Sequence, residues 1–205
     1  FLEVCEAAIA DAKAEIFQGV LPQGHAVIPR DNPHYKRLLH HAKASGITQI
    51  ASFGQHEDAL FAVMAATPDH NGSRVTLRTP SHTLTYKLGI PGMHQACNSA
   101  AVLAAVDAAG CDIEKAAAAL AELSPENGRG KEYVIRLEQG ICLVLDDSYN
   151  ASPASVCAAI SVLRQRADHA KGRAIAVLGD MFELGETALL LHRSLAEPLQ
   201  QAGID

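Results

Sequence analysis

What the sequence lacks narrows its function first. No run of apolar residues approaches the roughly 18 to 20 needed to cross a bilayer, which argues against membrane insertion. Positive charge is not in excess: 17 Lys and Arg stand against 23 Asp and Glu, a formal net charge of −6. Nucleic acid is therefore not the expected partner, since phosphate backbones select basic surfaces. The opening residues, Phe1-Leu2-Glu3-Val4-Cys5-Glu6, carry acids where a secretory signal would carry lysines. The five cysteines (Cys5, Cys97, Cys111, Cys142 and Cys157) are an odd number without a CxxC pair. They are expected to be reduced, buried thiols of a cytoplasmic protein, not disulfides or zinc ligands. The ten histidines include no HExxH and one adjacent pair, His40-His41, and most are expected at the surface. GxxxxGK[ST], GxGxxG and GxSxG are all missing, so the usual marks of a nucleotide phosphate loop and of a serine hydrolase elbow are absent.

What is present suits an ordered α/β protein. At 205 residues, 48% hydrophobic and 20% charged, the chain can build one large or two small domains. Leu2, Cys5, Ile9, Ala12 and Ile16 recur at spacings of three and four, which predicts an amphipathic helix over 2–17 with Lys13 at the edge of its apolar face. A strand at His25–Ile28, a helix over 34–45 and a strand at Thr48–Phe53 alternate as in a parallel sheet with helical crossovers. Ala59–Thr67, Arg74–Thr79 and Thr83–Leu88 then read as an antiparallel meander. An Ala-rich helix over 94–109 follows, closed by Gly110, and Asp112 caps another reaching about Leu123. Residues 124–130, dense in helix breakers, are the linker candidate. Beyond them come a hairpin over 133–145, a helix over 153–167, a strand at Ala174–Leu178 and a helix over 187–202. The expected fold is thus α/β: two open-sheet units, the first with an added antiparallel meander, divided as 1–125 and 126–205. Residue 1 is not Met, and residue 205 ends a helix–Gly-Ile-Asp step that normally leads into a strand, so the sequence reads as a piece of a longer chain.

The organising stretch is Cys142–Pro153, CLVLDDSYNASP. A buried strand ends in two carboxylates and a cluster of hydrogen-bonding side chains, and Ser152-Pro153 can open a helix. Ligands of open α/β sheets bind past the carboxyl ends of strands, and adjacent carboxylates repel unless a cation or donor answers them. A polar turn capping a helix explains the pattern equally well. His94 and Asn98, four apart at the start of the Ala-rich helix, share a face near its free N–H groups; they suit an anion or a base edge, or simply water. Arg129, flanked by glycines in the linker, is placed to reach a phosphate bidentately, or to be an ordinary solvated charge.

Taken together, Gly92-Met93-His94-Gln95-Ala96-Cys97-Asn98-Ser99-Ala100-Ala101, Gly128-Arg129, Asp146-Asp147-Ser148-Tyr149-Asn150-Ala151-Ser152-Pro153 and Leu178-Gly179-Asp180-Met181-Phe182-Glu183-Leu184-Gly185 resemble the Mur ligase family. The resemblance spans nearly the whole chain, and its DDSYNA and LGDMxELG segments are the most specific. It implies the later part of a central ATP-binding domain, whose P-loop would precede Phe1, and the first part of a Rossmann-like C-terminal domain that closes over the site. It also implies a cytoplasmic, monomeric enzyme of peptidoglycan precursor synthesis that uses ATP and Mg²⁺ to add D-alanyl-D-alanine to UDP-N-acetylmuramoyl-tripeptide through an acyl phosphate. Lys13, in Ala12-Lys13-Ala14-Glu15-Ile16-Phe17, would be carbamylated and bind Mg²⁺. His94 and Asn98 would lie at the adenine, Arg129 at the ATP phosphates and Asp147 at the ribose, with Tyr149 and Asn150 lining the same cleft. Asp180 and His192 are weaker candidates that helix capping or packing would explain. The family usually has Asn where this chain has Gln95 and Ser152, mild changes that keep hydrogen-bonding capacity. A sister ligase adding another amino acid, and a non-catalytic α/β binding piece, are the competing readings.

Overall fold

The computed structural model describes residues 6–69 and 72–205. Its chain divides into two compact units, Phe1–Leu123 and Ser124–Asp205.

The first unit is built on a five-stranded sheet in the order β1-β2-β3-β4-β5, with strands His25–Pro29, Gln49–Gly54, Phe61–Asp69, Gly72–Arg78 and Thr83–Leu88. β1 and β2 are parallel, joined through helix α2 (Tyr35–Ala44), and β3, β4 and β5 form the expected antiparallel meander. The step from β2 to β3 is unusual. The two strands are parallel, yet only six residues separate them, whereas a parallel return ordinarily needs a crossover of a dozen or more. The register resolves this, because only Phe53↔Phe61 and Gly54↔Ala62 are paired. The chain does not return: β3 starts level with the carboxyl end of β2 and runs onward, so the meander extends past that edge.

Strand alternation sorts the side chains into two cores. Ala26 and Ile28 of β1, with Ile50 of β2, pack on α2 around Ala42 and Ile47. Val27, Ala51 and Phe53 point the other way and join Phe61, Val75, Leu77 and Leu88 beneath helix α3 (Met93–Ala108). Ala96, Ala100 and Ala104 let α3 lie close to the sheet, and Ile113, Ala117 and Leu120 of helix α4 (Ile113–Ala119) close the same core. Asp112 caps α4 by accepting the Lys115 N–H at 2.9 Å. One polar pair is buried in this core. The Tyr86 hydroxyl lies 2.6 Å from Ser99 Oγ, which in turn donates to the Ala96 carbonyl at 2.7 Å, and burial pushes the phenol pKa up.

The first helix differs from its sequence reading. Helix α1 covers Glu6–Ala14 and tightens into a 3-10 turn over Glu15–Gly19; Leu2 and Cys5 lie outside the described residues. Its buried side chains are Ala10 and Ala14, while Ile9 and Ile16 are 48% and 73% exposed. The larger apolar residues suggested the wrong face, because α1 is held by an ion pair as well as by packing. Asp11 accepts Arg37 Nε at 2.5 Å and Nη2 at 2.6 Å, and His41 Nε2 stands 2.9 Å away, both partners being on α2. The Arg37 bonds, aided by His41, hold the Asp11 carboxyl well below the usual carboxylate range.

The second unit carries the hairpin of β6 (Lys131–Leu137) and β7 (Gly140–Asp146), then helices α5 (Pro153–Ala170), α6 (Ala188–Ser194) and α7 (Ala196–Gln201). Ser152 caps α5 in a reciprocal box with Ser155. Arg166 Nη2 meets Glu132 Oε1 at 2.5 Å, tying α5 to β6. Three expectations change here. The strand over 142–145, expected to be buried, has no fully buried residue, because it pairs with β6 alone. Residues 174–178 make no strand ladder of their own; their ladder-like bonds run to Asp205, from the Ala176 N–H at 2.8 Å and to the Ala174 carbonyl at 3.0 Å. The expected helix over 187–202 is broken at Leu195, because Pro198 has no N–H to carry the ladder across. The cysteines also differ from expectation. The four described are free thiols, but Cys111 and Cys142 are exposed, and Cys97 and Cys157 only partly buried.

Removing one partner of the buried hydroxyl pair should cost different amounts on its two sides. Ser99→Ala strands the Tyr86 hydroxyl and should lower unfolding free energy by about 1–3 kcal/mol, whereas Tyr86→Phe leaves Ser99 bonded to Ala96 and should cost only about 0.5–1.5 kcal/mol. Urea denaturation of the two variants checks the order.

Candidate functional site

In the first unit, candidate groups gather at the edge where β1 and β2 end. Arg30 N–H continues the parallel ladder to Phe53 O at 2.7 Å. Asp31 then turns its carboxylate across to the next loop, accepting the N–H groups of Gln55 at 2.7 Å and His56 at 2.8 Å. Gly54 is the seat of this contact. Its φ is +143°, and a Cβ there would stand 2.4 Å from Asp31 Oδ2. Arg30 reaches Asp58 at 3.5 Å and lies 4.7 Å over the Tyr35 ring. From the meander side, Arg78 donates to the carbonyls of Glu57 and Ala59. The loop over 55–59 is thus fastened from the turn after β1 and from β4.

Helix α3 starts from Gly92, and both His94 and Asn98 are exposed in its first two turns. Asn98 Nδ2 donates to Gln95 Oε1 at 3.3 Å, so these two amides act as a pair. Between them in sequence, Cys97 turns inward. Burial, with the Asp31 charge adding to it, pushes its thiol up to about 11, which makes it an inert group. Helix α3 packs across β1, β2 and β3. Lys13 is exposed in the last turn of α1, the helix anchored to α2 through Asp11. Among the described residues, no three His, Cys, Asp or Glu gather as a ready metal site.

In the second unit, the two adjacent carboxylates take different surroundings. Asp146 turns inward to its own backbone. Its Oδ2 accepts the Gly128 N–H at 3.2 Å, and its Oδ1 accepts the Ser148 N–H at 3.2 Å and hydroxyl at 2.6 Å. The Ser148 bonds, with Gly128 adding, pull the carboxyl pKa down. Asp147 is exposed beside it. The Asp146 carbonyl takes the Gly130 N–H at 2.8 Å and the Gly128 carbonyl takes the Tyr149 N–H at 3.0 Å, so the Gly128-Arg129-Gly130 turn and the 147–150 loop are stitched together. Gly128, at φ +73°, allows the approach: a Cβ would press on Tyr149 Cβ at 3.1 Å. Across this seam the Arg129 guanidinium lies 4.3 Å over the Tyr149 ring. Asn150 uses its Oδ1 on the Ala151 N–H at 2.9 Å.

Sequence-marked residues therefore form two local groups, His94 with Asn98, and Arg129 with Asp147, Tyr149 and Asn150, while Lys13 stands on a separate helix. His192 has a packing role: its Nδ1 lies 2.7 Å from the Ala188 carbonyl, and its Nε2 accepts the Met181 N–H at 2.9 Å, so it pins the LGDM loop to α6. Asp180 is 4.0 Å from it. Asp31, Gly54 and the Asp11–Arg37–His41 clamp were not singled out. No spacing rule reveals bonds between separate elements. The one legible clue was a Gly ending the neighbouring parallel strand.

Comparison with known proteins follows this division. Residues 4–106 match the family model of the Mur ligase middle domain, and residues 132–205 match that of the Mur ligase glutamate ligase domain. UDP-N-acetylmuramoyl-tripeptide–D-alanyl-D-alanine ligase of Escherichia coli K12 is 33% identical over 202 residues, which are 97% of this chain and 42% of the relative. A crystal structure of MurF from Acinetobacter baumannii superposes with a TM-score of 0.82 at 29% identity, over 95% of this chain and 40% of that one. The MurF ligase of Thermotoga maritima in complex with ADP gives 0.74 at 26% identity, over 94% and 42%. The chain spans about two fifths of the length of the relatives it matches.

Gly54→Ala should be among the most damaging single-methyl additions. It forces a positive φ on a residue with a side chain and drives a Cβ into Asp31, so a loss of roughly 2–4 kcal/mol is expected, measured by thermal and urea unfolding. A second outcome concerns pH. Because the folded-state pKa of Asp146 is lowered from 3.8, its contribution is present above that value and is lost as pH falls through the folded-state value. Asp146→Asn should lower stability at neutral pH and flatten the loss between mildly and strongly acid solution, read from melting temperature against pH.

Proposed function

Because the chain belongs to the Mur ligase family, we propose that it is the nucleotide-handling portion of an ATP-dependent ligase that joins D-alanyl-D-alanine to UDP-N-acetylmuramoyl-tripeptide. The observation that carries this reading is the continuous likeness to such ligases, 33% identity over 202 residues running through both units and all the marked motifs. The second unit suits a nucleotide: an arginine whose guanidinium carbon rests over a ring keeps N–H groups for phosphate oxygens, and exposed Asp147 is suited to accept ribose hydroxyls. In the first unit, the Asn98–Gln95 amide pair at the start of α3 can read a base edge, with His94 beside it. Magnesium commonly takes one or two protein carboxylates and completes its shell with phosphates and water. A carbamate on Lys13 would be one such ligand, turning a cation into an oxygen donor. When bound, ATP supplies the phosphoryl group that makes a carboxylate reactive toward an amine. The residues of this chain orient it and balance the charge that develops. The protein is proposed to work in the cytoplasm as a monomer.

The full-length protein carrying this sequence should release phosphate from ATP only when UDP-N-acetylmuramoyl-tripeptide and D-alanyl-D-alanine are both present. Release that ignores the dipeptide would overturn the reading, and release driven by a single amino acid would move it to a sister activity. Lys13→Ala and Lys13→Arg should both lower kcat, by roughly 100-fold, because arginine keeps the charge but cannot carry a carbamate.

A further inference from the structure

An exposed arginine between two glycines would ordinarily sample many rotamers and lose that freedom on meeting a ligand. Here three features restrain it. The backbone on either side is fixed, with the Arg129 N–H on the Glu126 carbonyl at 3.0 Å and the Gly130 N–H on the Asp146 carbonyl at 2.8 Å. The neighbouring loop is stitched to the same turn by the Tyr149 N–H on the Gly128 carbonyl. The guanidinium carbon then rests 4.3 Å from the centroid of the Tyr149 ring. Tyr149 itself is 69% exposed, so the core does not require its ring there. A guanidinium carbon placed over a ring face is held by the π-system and still leaves N–H groups for a bidentate oxygen partner.

We propose that Tyr149 is a positioning residue whose ring holds the Arg129 guanidinium edge-out toward phosphoryl oxygens, instead of contacting the nucleotide itself. This rests on the nucleotide reading above and deepens it. Asp146 is the anchor of the arrangement, since its carboxylate and carbonyl hold both glycines that flank Arg129. The ring, not the hydroxyl, does the positioning: one face of Tyr149 is occupied by a cation and is closed to a stacked base. Tyr149 and Arg129 should therefore act as a coupled pair.

The test uses the 205-residue chain with labelled arginine, the Arg129 Nε–Hε resonance being assigned through Arg129→Lys. The wild type and Tyr149→Phe should show the ring-current displacement expected of a proton held over an aromatic face, and Tyr149→Leu should lose it. Titration with inorganic tripolyphosphate should shift the same resonance. Binding should weaken roughly three- to five-fold in Tyr149→Leu and stay unchanged in Tyr149→Phe. An unmoved Arg129 resonance in Tyr149→Leu, or an equal loss in Tyr149→Phe, would overturn the proposal. So would a stack that behaves as expected while tripolyphosphate leaves Arg129 untouched in every variant. Phosphate release by the full-length protein is a separate readout: its failure alongside a responsive Arg129 would fault the ligase reading and not the stack.

Discussion

Loops at the ends of strands expose backbone N–H groups that the ladder no longer pairs, and each unit of this protein answers them with a strand-end carboxylate. Asp31 binds Gln55 and His56 in the first unit; Asp146 binds Gly128 and Ser148 in the second. A charged acceptor makes a stronger bond to an amide than a neutral one does. In both places a glycine lies at the contact, Gly54 under Asp31 and Gly128 against Tyr149. In the second unit, Arg129, Asp147 and Tyr149 sit on the braced turns themselves. Neither carboxylate need touch a ligand to matter, since what each supplies is a loop with a fixed shape.

Much of the fold could be read in advance because its signals are local. The β-rich run at 83–88 between turn signals and the cap at Asp112 identify their elements unaided. The hidden parts are those that depend on partners distant in sequence. The apolar spacing of α1 pointed to Ile9 and Ile16, and the face was instead decided by Arg37 and His41 across the interface with α2. The stretch at 174–178 has the composition of a strand, but composition cannot provide the ladder partner that a strand requires.

The candidate site divides in the same way. Residue types and order marked His94, Asn98, Arg129 and the polar cluster that ends β7, while the roles of Asp147, Tyr149, Asn150 and Lys13 came from the family resemblance. Pattern alone treats the two neighbouring aspartates alike and the family resemblance singles out Asp147; the Ser148 and Gly128 bonds show that Asp146 is the one facing the backbone. The Arg129–Tyr149 stack was also invisible, being a contact across 20 residues between two turns.

The forward step from β2 to β3 governs where this architecture could lengthen. Because β3 starts level with the end of β2, the residues between them form an excursion fastened to Asp31 on one side and Arg78 on the other. An insertion there would pull against both fastenings and shift the whole meander relative to the parallel pair. The tip between β4 and β5 is held by Thr79, Ser81 and His82 among themselves and, through His82, by Glu114 of α4. Extra residues at that tip would leave both fastenings of the excursion untouched. Variation in loop length should therefore collect at the tip, while the excursion keeps a constant size.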